Sequence, residues 1–593
     1  MYILGISCFY HDAAACLIRD GEIVAAAAEE RFTRKKHDNG FPKKAIQFCL
    51  DYAGIAANEL DIVGFYEKPL IKFDRIFHQH LQHFPKSFST FKQTAGSWFT
   101  QKLNIEDLLK KEFDYHGKVA YIPHHLSHAA STYFLSPFKN ACVVTIDGVG
   151  EWATTTIGQG RGAEVHIDQE IQFPHSLGLL YSTLTTYLGF SANDAEYKVM
   201  GLAAYGNPEP FREQFDQLIT VFEDGSYQLN MKYFDYDWAD HMASNELIKL
   251  FGHPPREPES KAEKYHEDIA AALQEKLEQV VFALLNAAYK KYKTKNLCLA
   301  GGVALNSVMN GKILRNTPFT DLFIPPDPSD AGGAMGVALN LYFNKVKRRK
   351  MIEFHSYLGP EFSWYQIRRA LEEAGLQYTF VKQNELAAKV AKLITQQKVI
   401  GWFQGRMEWG PRALGSRSIL ASAAKEEMKD IINARVKHRE LFRPFAPVIL
   451  HEKVQKYFVT DEKIPISAKW MLMVYPFKKI GAKDVPAVVH VDGTGRLQTL
   501  EREDNPLYYD VIKEHHKLTK VPVIINTSFN VRGEPIVCTP EDAIACFLHT
   551  DIDYLVMDQF IIGKGKKSSG LSRQSSVIRK KVKKVKAKKV KSG

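Results

Sequence analysis

The segment PHHLSHAA, residues 123–130, crowds His124, His125 and His128 among small side chains. On a helix, a spacing of four sets the imidazoles of His124 and His128 on one face, where two nitrogens can reach one metal ion. His125 would point elsewhere, and the same spacing also serves a helix start with half-exposed histidines. A different chemistry is written into GRMEWGPRALGSRSIL, INARVKHRELFRPFAPVIL and VPVIINTSFNVRGEPIV, which are dense in Arg, Lys, Gly and Asn. Guanidinium forks match phosphate oxygens and glycines let the backbone come close, so these segments suit a polyanionic small molecule; surface ion pairs are the alternative. Two junctions, NLCLAGGVALNS (296–307) and FIPPDPSDAGGAMGVALN (323–340), read as a strand or loop, glycines, then a helix. Such junctions free backbone N–H groups for a phosphate, although glycine pairs also serve tight packing. Asp330 stands at the mouth of the second.

These residues need elements to position them. The chain opens with YILGIS, a polar loop CFYHD and AAACLIRDGEIVAAAAEE, short β-type runs joined by an Asp-Gly turn that signals a hairpin. The same grammar returns at ACVVTIDGVGEWATTTIG (141–158), where an apolar strand ends in Asp147, so two related halves are expected. Ile269, Leu273, Leu277, Val280, Val281 and Leu284 recur at helical spacing and predict a long amphipathic helix over 260–292. NKVKRRKMIEF (344–354) reads as a linker before a fresh α/β pattern, placing a domain boundary near 350.

With 593 residues, 45% hydrophobic and 24% charged, the composition is globular, with room for several domains. No run reaches the roughly 18 to 20 apolar residues of a membrane span. MYILGISCFYHD lacks a signal peptide's basic start and apolar core, so a cytoplasmic location is expected. The seven cysteines form no C-x-x-C pair and sit in apolar runs, which indicates reduced core thiols rather than disulfides or a cysteine zinc site. The net charge of +11 points to nucleic acid until it is located: residues 564–593 hold 13 Lys and Arg and no acid, leaving the body at −2. That tail lacks the apolar surface to offset ordering entropy and is expected to be disordered, touching RNA, anionic lipid or nothing.

Taken in order, GISCFYHDAAACLIRDGEIVAAAAEERFTRKKH, PHHLSHAA, TIDGVGE, EYKVMGLAAYG (196–206), AGGVALN, SDAGGAMG, GRMEWGPRALGSRSI, FRPFAP and INTSFNVRGEPIV closely resemble the O-carbamoyltransferase family. That family includes the nodulation-factor (NodU) enzymes and those that carbamoylate cephems, novobiocin and tobramycin, and the likeness runs from residue 1 to about 562. It implies an α/β protein. A Kae1-like domain of the actin/ASKHA ATPase type, two RNase-H-like lobes over 1–347, is followed by a YrdC-like α/β domain over 348–562 and a basic tail over 563–593. The implied activity is ATP-dependent. The YrdC-like domain makes carbamoyladenylate from carbamoyl phosphate and ATP, and the first domain transfers the carbamoyl group to a hydroxyl, with a divalent metal and with AMP as leaving group.

Carried over by this resemblance, the metal ligands are His124, His128, Asp147 and Asp330, a donor set suited to Fe2+, with Mn2+ or Zn2+ as alternatives. Taken alone, Asp147 is also a turn cap and Asp330 a helix N-cap. His11 matches a histidine able to take the proton from the attacking hydroxyl, and Lys36 a lysine that binds the acceptor. The loop before His11 is shorter than in the antibiotic enzyme, so acceptor recognition is expected to differ. Asp235, in competition with Asp237, is the candidate general base. Arg412, Lys437 and Arg443 match residues that hold carbamoyl phosphate and the nucleotide phosphates, with Arg417, Arg439 and Arg496 in reserve. Asn526, Ser528, Asn530 and Arg532 are expected on the remaining phosphate or carbamoyl groups, and Gly301, Gly302 and Asn306 around the adenylate.

Two other classes stay open at this point: a threonylcarbamoyl-type tRNA modification enzyme and a non-catalytic nucleotide-binding protein. The charge of the body and the acceptor loop speak against the first, and the candidate ligands in both domains against the second. The expected partner is a small-molecule or glycan acceptor, without a membrane span and without nucleic acid except at the tail; a homodimer is compatible.

Overall fold

A computed structural model describes residues 1–98, 102–437 and 443–564. The expected basic tail falls, beyond Lys564, outside the described residues. The first hairpin forms as the sequence predicts: Ala14–Arg19 turns back into Glu22–Ala28 through Asp20 and Gly21, both at positive φ (50° and 82°). Those dihedrals are what a two-residue turn compatible with strand twist requires, and Asp and Gly tolerate them. Tyr2–Ser7 pairs antiparallel with Ala14–Arg19 on one side and parallel with Ile62–Phe65 on the other. The sheet order is therefore Glu22–Ala28, Ala14–Arg19, Tyr2–Ser7, Ile62–Phe65, Val119–Tyr121.

A second sheet repeats this pattern. Asn140–Ile146 pairs antiparallel with Ala153–Arg161, which pairs antiparallel with Glu164–Gln172. On its other side Asn296–Ala300 and then Asp321–Phe323 run parallel. Three antiparallel strands followed by two parallel ones, in the same order in both sheets, make the two related halves that the paired hairpins implied and the two RNase-H-like lobes that the resemblance implied. The long helix over Lys264–Tyr292 buries Ile269, Leu273, Leu277, Val280, Val281 and Leu284, as their spacing predicts.

Residues beyond the linker form a nine-stranded mixed sheet, from Thr379–Phe380 at one edge to Met473–Pro476 at the other. The whole is the two-part α/β layout expected from the sequence. The two parts share contacts: Trp470 packs edge-on against Phe323 and Phe354 at 5.6 and 5.7 Å. Arg31 donates to the Gly410 carbonyl at 3.1 Å, and Arg34 to those of Ile536 and Pro535 at 2.6 and 2.8 Å.

Between the lobes, the helices His124–Leu135 and Asp330–Val346 lie against each other. Every residue of the first except Leu126 is buried. Their approach is so close that a Cβ on Gly336 would stand 1.9 Å from the Ser127 carbonyl oxygen, and one on Gly5 equally near that of Ala334. The glycines that read as a phosphate loop in SDAGGAMG are therefore packing glycines. Gly336→Ala should force the helices apart at a cost of about 1–3 kcal/mol, read as a lowered midpoint in thermal or denaturant unfolding.

Candidate active site

Backbone geometry brings four ionisable side chains together. His124 and Asp330 are the first residues of the two packed helices, His128 follows one turn after His124, and Asp147 directly follows the strand Asn140–Ile146. A helix N-terminus favours an anion, which suits Asp330 there. The Nε2 atoms of His124 and His128 are 3.1 Å apart, and Asp147 Oδ2 is 3.0 Å from the first and 3.8 Å from the second. Asp330 Oδ1 is 3.7 and 3.5 Å from the same two nitrogens. Four donors around one ion at about 2.1 Å would be separated by about 3.4 Å, and these separations bracket that value. All four residues are buried, and Asp330 Oδ2 and both Nδ1 atoms lack hydrogen-bond partners. Two imidazole Nε2 atoms and two carboxylates converging at buried positions fit a borderline divalent cation. Burial opposes charging of His128, but Asp147 and Asp330 outweigh it and lift the ring to about 9, while Asp147 is held well below the carboxylate range.

Surrounding groups orient this cluster. Gly302 donates its N–H to Asp147 Oδ1 at 2.8 Å, and Gly301 takes φ 91° where a Cβ would strike the Ile146 carbonyl. The Glu151 carboxylate accepts from the His124 N–H at 3.0 and 3.1 Å. His125 turns the other way, between Thr145 Oγ1 at 2.6 Å and the Ala153 carbonyl at 2.8 Å, and burial pushes it down to about 3. It is a neutral structural ring. Asn306 caps a short helix through Met309 N–H and exchanges amide bonds with Gln274. Gly302 and Asn306 line the chamber described below, although the Gly302 N–H and the Asn306 amide are already engaged within the protein.

A chamber of about 440 Å³ opens beside Asp147 and Asp330. At one wall His11 Nδ1 donates to Asp12 Oδ2 at 2.6 Å and its Nε2 to the Asn193 carbonyl. His37 bridges Asp12 Oδ1 at 2.9 Å and Asp194 Oδ1 at 3.0 Å, and Lys36 also reaches Asp194. Burial works against charge on His11, but Asp12 overcomes it and lifts the ring to about 10; His37 rises likewise to about 9. Asp12, His37 and Asp194 were not singled out from the sequence, although the dipeptides His11-Asp12 and His37-Asp38 flag the loops.

The opposite wall is cationic. Arg412, Arg443, Arg496 and Lys429 line it, with Asn526 and Ser528. Arg443 reaches across to the other half, donating to Tyr197 Oη at 2.9 Å. Lys437 lies behind this wall and does not line the chamber, its Nζ on Ser528 Oγ at 3.2 Å and on Asn530 Oδ1 at 2.7 Å. Buried Asn526 donates to Gln498 Oε1 at 2.6 Å, while its own Oδ1 has no partner.

Other candidates are placed elsewhere. Arg417 is fully buried, its guanidinium on four backbone carbonyls and 3.7 Å from the Phe403 ring, and is a core residue. Arg532 pairs with Glu259 at 2.6 Å, and Asp235 with His241 at 3.1 Å; neither lines the chamber, nor does Asp237, which faces His83 at 3.1 Å. Arg439 lies outside the described residues.

Asp327 also lines the chamber, where burial pushes its carboxyl up to about 6 against hydrogen bonds from Ser329. A carboxyl raised in the folded state stabilises while protonated and loses that contribution as pH rises from its unfolded value towards about 6. The unfolding free energy of Asp327→Asn, read from denaturant midpoints, should gain on that of the unaltered chain between pH 4 and pH 7 by about 2–3 kcal/mol.

The family comparisons agree with this arrangement. Residues 2–339 match the model of the carbamoyltransferase N-terminus and residues 391–564 that of the carbamoyltransferase C-terminus. An uncharacterized protein of Synechocystis sp. is 44% identical, covering 95% of this chain and 97% of its own. Nodulation protein NolNO of Sinorhizobium fredii is 38% identical over 94% of this chain and 79% of its own length. Nodulation protein U of Rhizobium fredii is 34% identical over 46% of this chain and 45% of its own length. Two family models in tandem, over the two parts whose walls face one chamber, establish that the chain is an enzyme of the carbamoyltransferase family.

Proposed function

We propose that this carbamoyltransferase is ATP-dependent, with residues 348–562 forming carbamoyladenylate and residues 1–347 passing its carbamoyl group to a hydroxyl of a sugar, glycan or secondary metabolite. The observation that carries this reading is the single chamber with a cationic wall from one part and the histidine and aspartate groups of the other. A carbamate is a sluggish electrophile because nitrogen and oxygen both feed its carbonyl, so a good leaving group must be attached first. In the balanced activation, carbamoyl phosphate, ATP and water give carbamoyladenylate, pyrophosphate and phosphate.

Arg412 and Arg443 hold phosphate oxygens in this scheme, and Lys437 orders the Ser528–Asn530 turn that faces them. The unpartnered Asn526 Oδ1 suits the carbamoyl amino group as its donor. A divalent ion held by His124, His128, Asp147 and Asp330 would supply Lewis-acid charge to the carbonyl oxygen and the departing phosphate. The acceptor oxygen attacks the carbamoyl carbon, its proton leaves, and AMP departs. His11, held as an imidazolium by Asp12, accepts that proton only after losing its own from Nε2. Enclosure keeps the reactive adenylate from bulk water between the two steps.

Incubation with ATP, carbamoyl phosphate and a divalent metal should release pyrophosphate, and addition of sugar alcohols should then release AMP; no pyrophosphate with any metal overturns the reading. Arg443→Ala should slow pyrophosphate release about 100-fold, whereas His128→Ala should keep it and lose transfer. The transfer rate should rise with pH towards about 10 while His11 is present, and His11→Gln should flatten that profile without changing pyrophosphate release.

A further inference from the structure

Forming carbamoyladenylate from carbamoyl phosphate and ATP consumes a water molecule, whose proton needs an acceptor. The turn that opens the strand Thr494–Leu500 holds one. Residues 490–494 close on themselves: the His490 N–H donates to the Thr494 carbonyl at 2.8 Å and the Gly493 N–H to the His490 carbonyl at 2.9 Å, with Gly493 at φ 78°. Three side chains of this turn lie in series. Thr494 Oγ1 donates to Asp492 Oδ1 at 2.7 Å and is 3.2 Å from His490 Nδ1. A hydroxyl has one hydrogen, and this one is committed to the carboxylate, so Oγ1 can only accept from the ring. The His490 proton therefore sits on Nδ1.

The other nitrogen keeps its lone pair. Burial pushes the ring down to about 4, with Arg496 and Lys429 acting in the same sense and Asp492 opposing them without reversing the shift, so the imidazole is neutral near pH 7. Its Nε2 is buried and has no hydrogen-bond partner, an arrangement that is costly unless a ligand or a water completes it. His490 belongs to the chamber lining, on the same cationic wall as Lys429, Arg412 and Arg496. His11 and His37, the other histidines among the described residues of that lining, have both ring nitrogens on protein groups and are lifted towards the charged form. A neutral imidazole oriented through its far nitrogen is the arrangement of a general base.

Resting on the ATP-dependent activity proposed for this chain, we propose that His490, oriented by Thr494 and Asp492, is the general base that activates the water splitting carbamoyl phosphate into carbamate and phosphate. The water oxygen attacks the phosphorus, its proton passes to Nε2, and the bridging P–O bond breaks with its electron pair on the carbamate oxygen. The proton taken up by Nε2 then leaves with the phosphate. The carbamate oxygen attacks the α-phosphorus of ATP and pyrophosphate departs, which completes the stoichiometry of one water, one phosphate and one pyrophosphate.

The test compares two carbamoyl sources with the full chain, ATP and the divalent metal. Carbamoyl phosphate requires the water step, whereas ammonium carbamate at mildly alkaline pH supplies carbamate ready made. His490→Ala should slow pyrophosphate release from carbamoyl phosphate about 100-fold and recover most of the unaltered rate with ammonium carbamate. Thr494→Val, which leaves the ring in place, should slow the first reaction by a smaller factor and spare the second. An unchanged rate with carbamoyl phosphate in His490→Ala, equal loss from both sources in both variants, or release by the unaltered chain from carbamoyl phosphate but not from carbamate would each overturn the proposal. No pyrophosphate from either source with the unaltered chain would instead overturn the ATP-dependent activity itself, and this role of His490 with it.

Discussion

The close approach of two helices, His124–Leu135 and Asp330–Val346, governs this molecule. Each supplies a first-turn ligand candidate, and only the absence of a Cβ at Gly336 lets one backbone come within contact of the other. Asp330–Val346 is in turn seated on the first sheet, where Gly5 receives the Ala334 carbonyl. Position of the sheet, separation of the helices and separation of His124 from Asp330 are thus one variable. A site built this way resists drift because its ligands cannot move without dismantling a core interface.

That rigidity holds four ionisable groups together. Two carboxylates and two imidazoles converge at buried positions, with Asp330 Oδ2 unpartnered. Such an arrangement is costly unless a cation satisfies it. The wall at His11 is organised differently: His11, Asp12, His37, Asp194 and Lys36 form a chain of oppositely charged pairs.

Much of this was readable in the chain. The Asp20-Gly21 turn, the repeated hairpins and the helix through Leu273 and Leu284 all follow from local pattern. The four-residue cluster needed the family resemblance, because Asp147 and Asp330 are distant in sequence and each has a bland local role. What misled were residues whose type allows two uses. Arg417 lies in the same glycine-rich segment as Arg412, yet it is consumed by backbone carbonyls, and Gly336 of SDAGGAMG admits a neighbouring helix. Burial decides between the uses, and periodicity does not report it for a loop. The helix Pro69–Gln82 inverts the usual rule, since Lys72 and Arg75 are buried against Glu67, Tyr10 and Phe173 while Leu70 and Leu81 are exposed.

The repeated sheet order carries a consequence of its own. Residues 8–13 and residues 147–152 occupy equivalent places, each following the first strand of its lobe. One of these twin loops contributes Asp147 to the buried cluster, while the other presents His11 and Asp12 to the chamber. A doubled scaffold thereby sets two different groups of ionisable residues on two copies of one loop. The two copies belong to separate sheets, so a change of length in one leaves the strand pairing that holds the other intact.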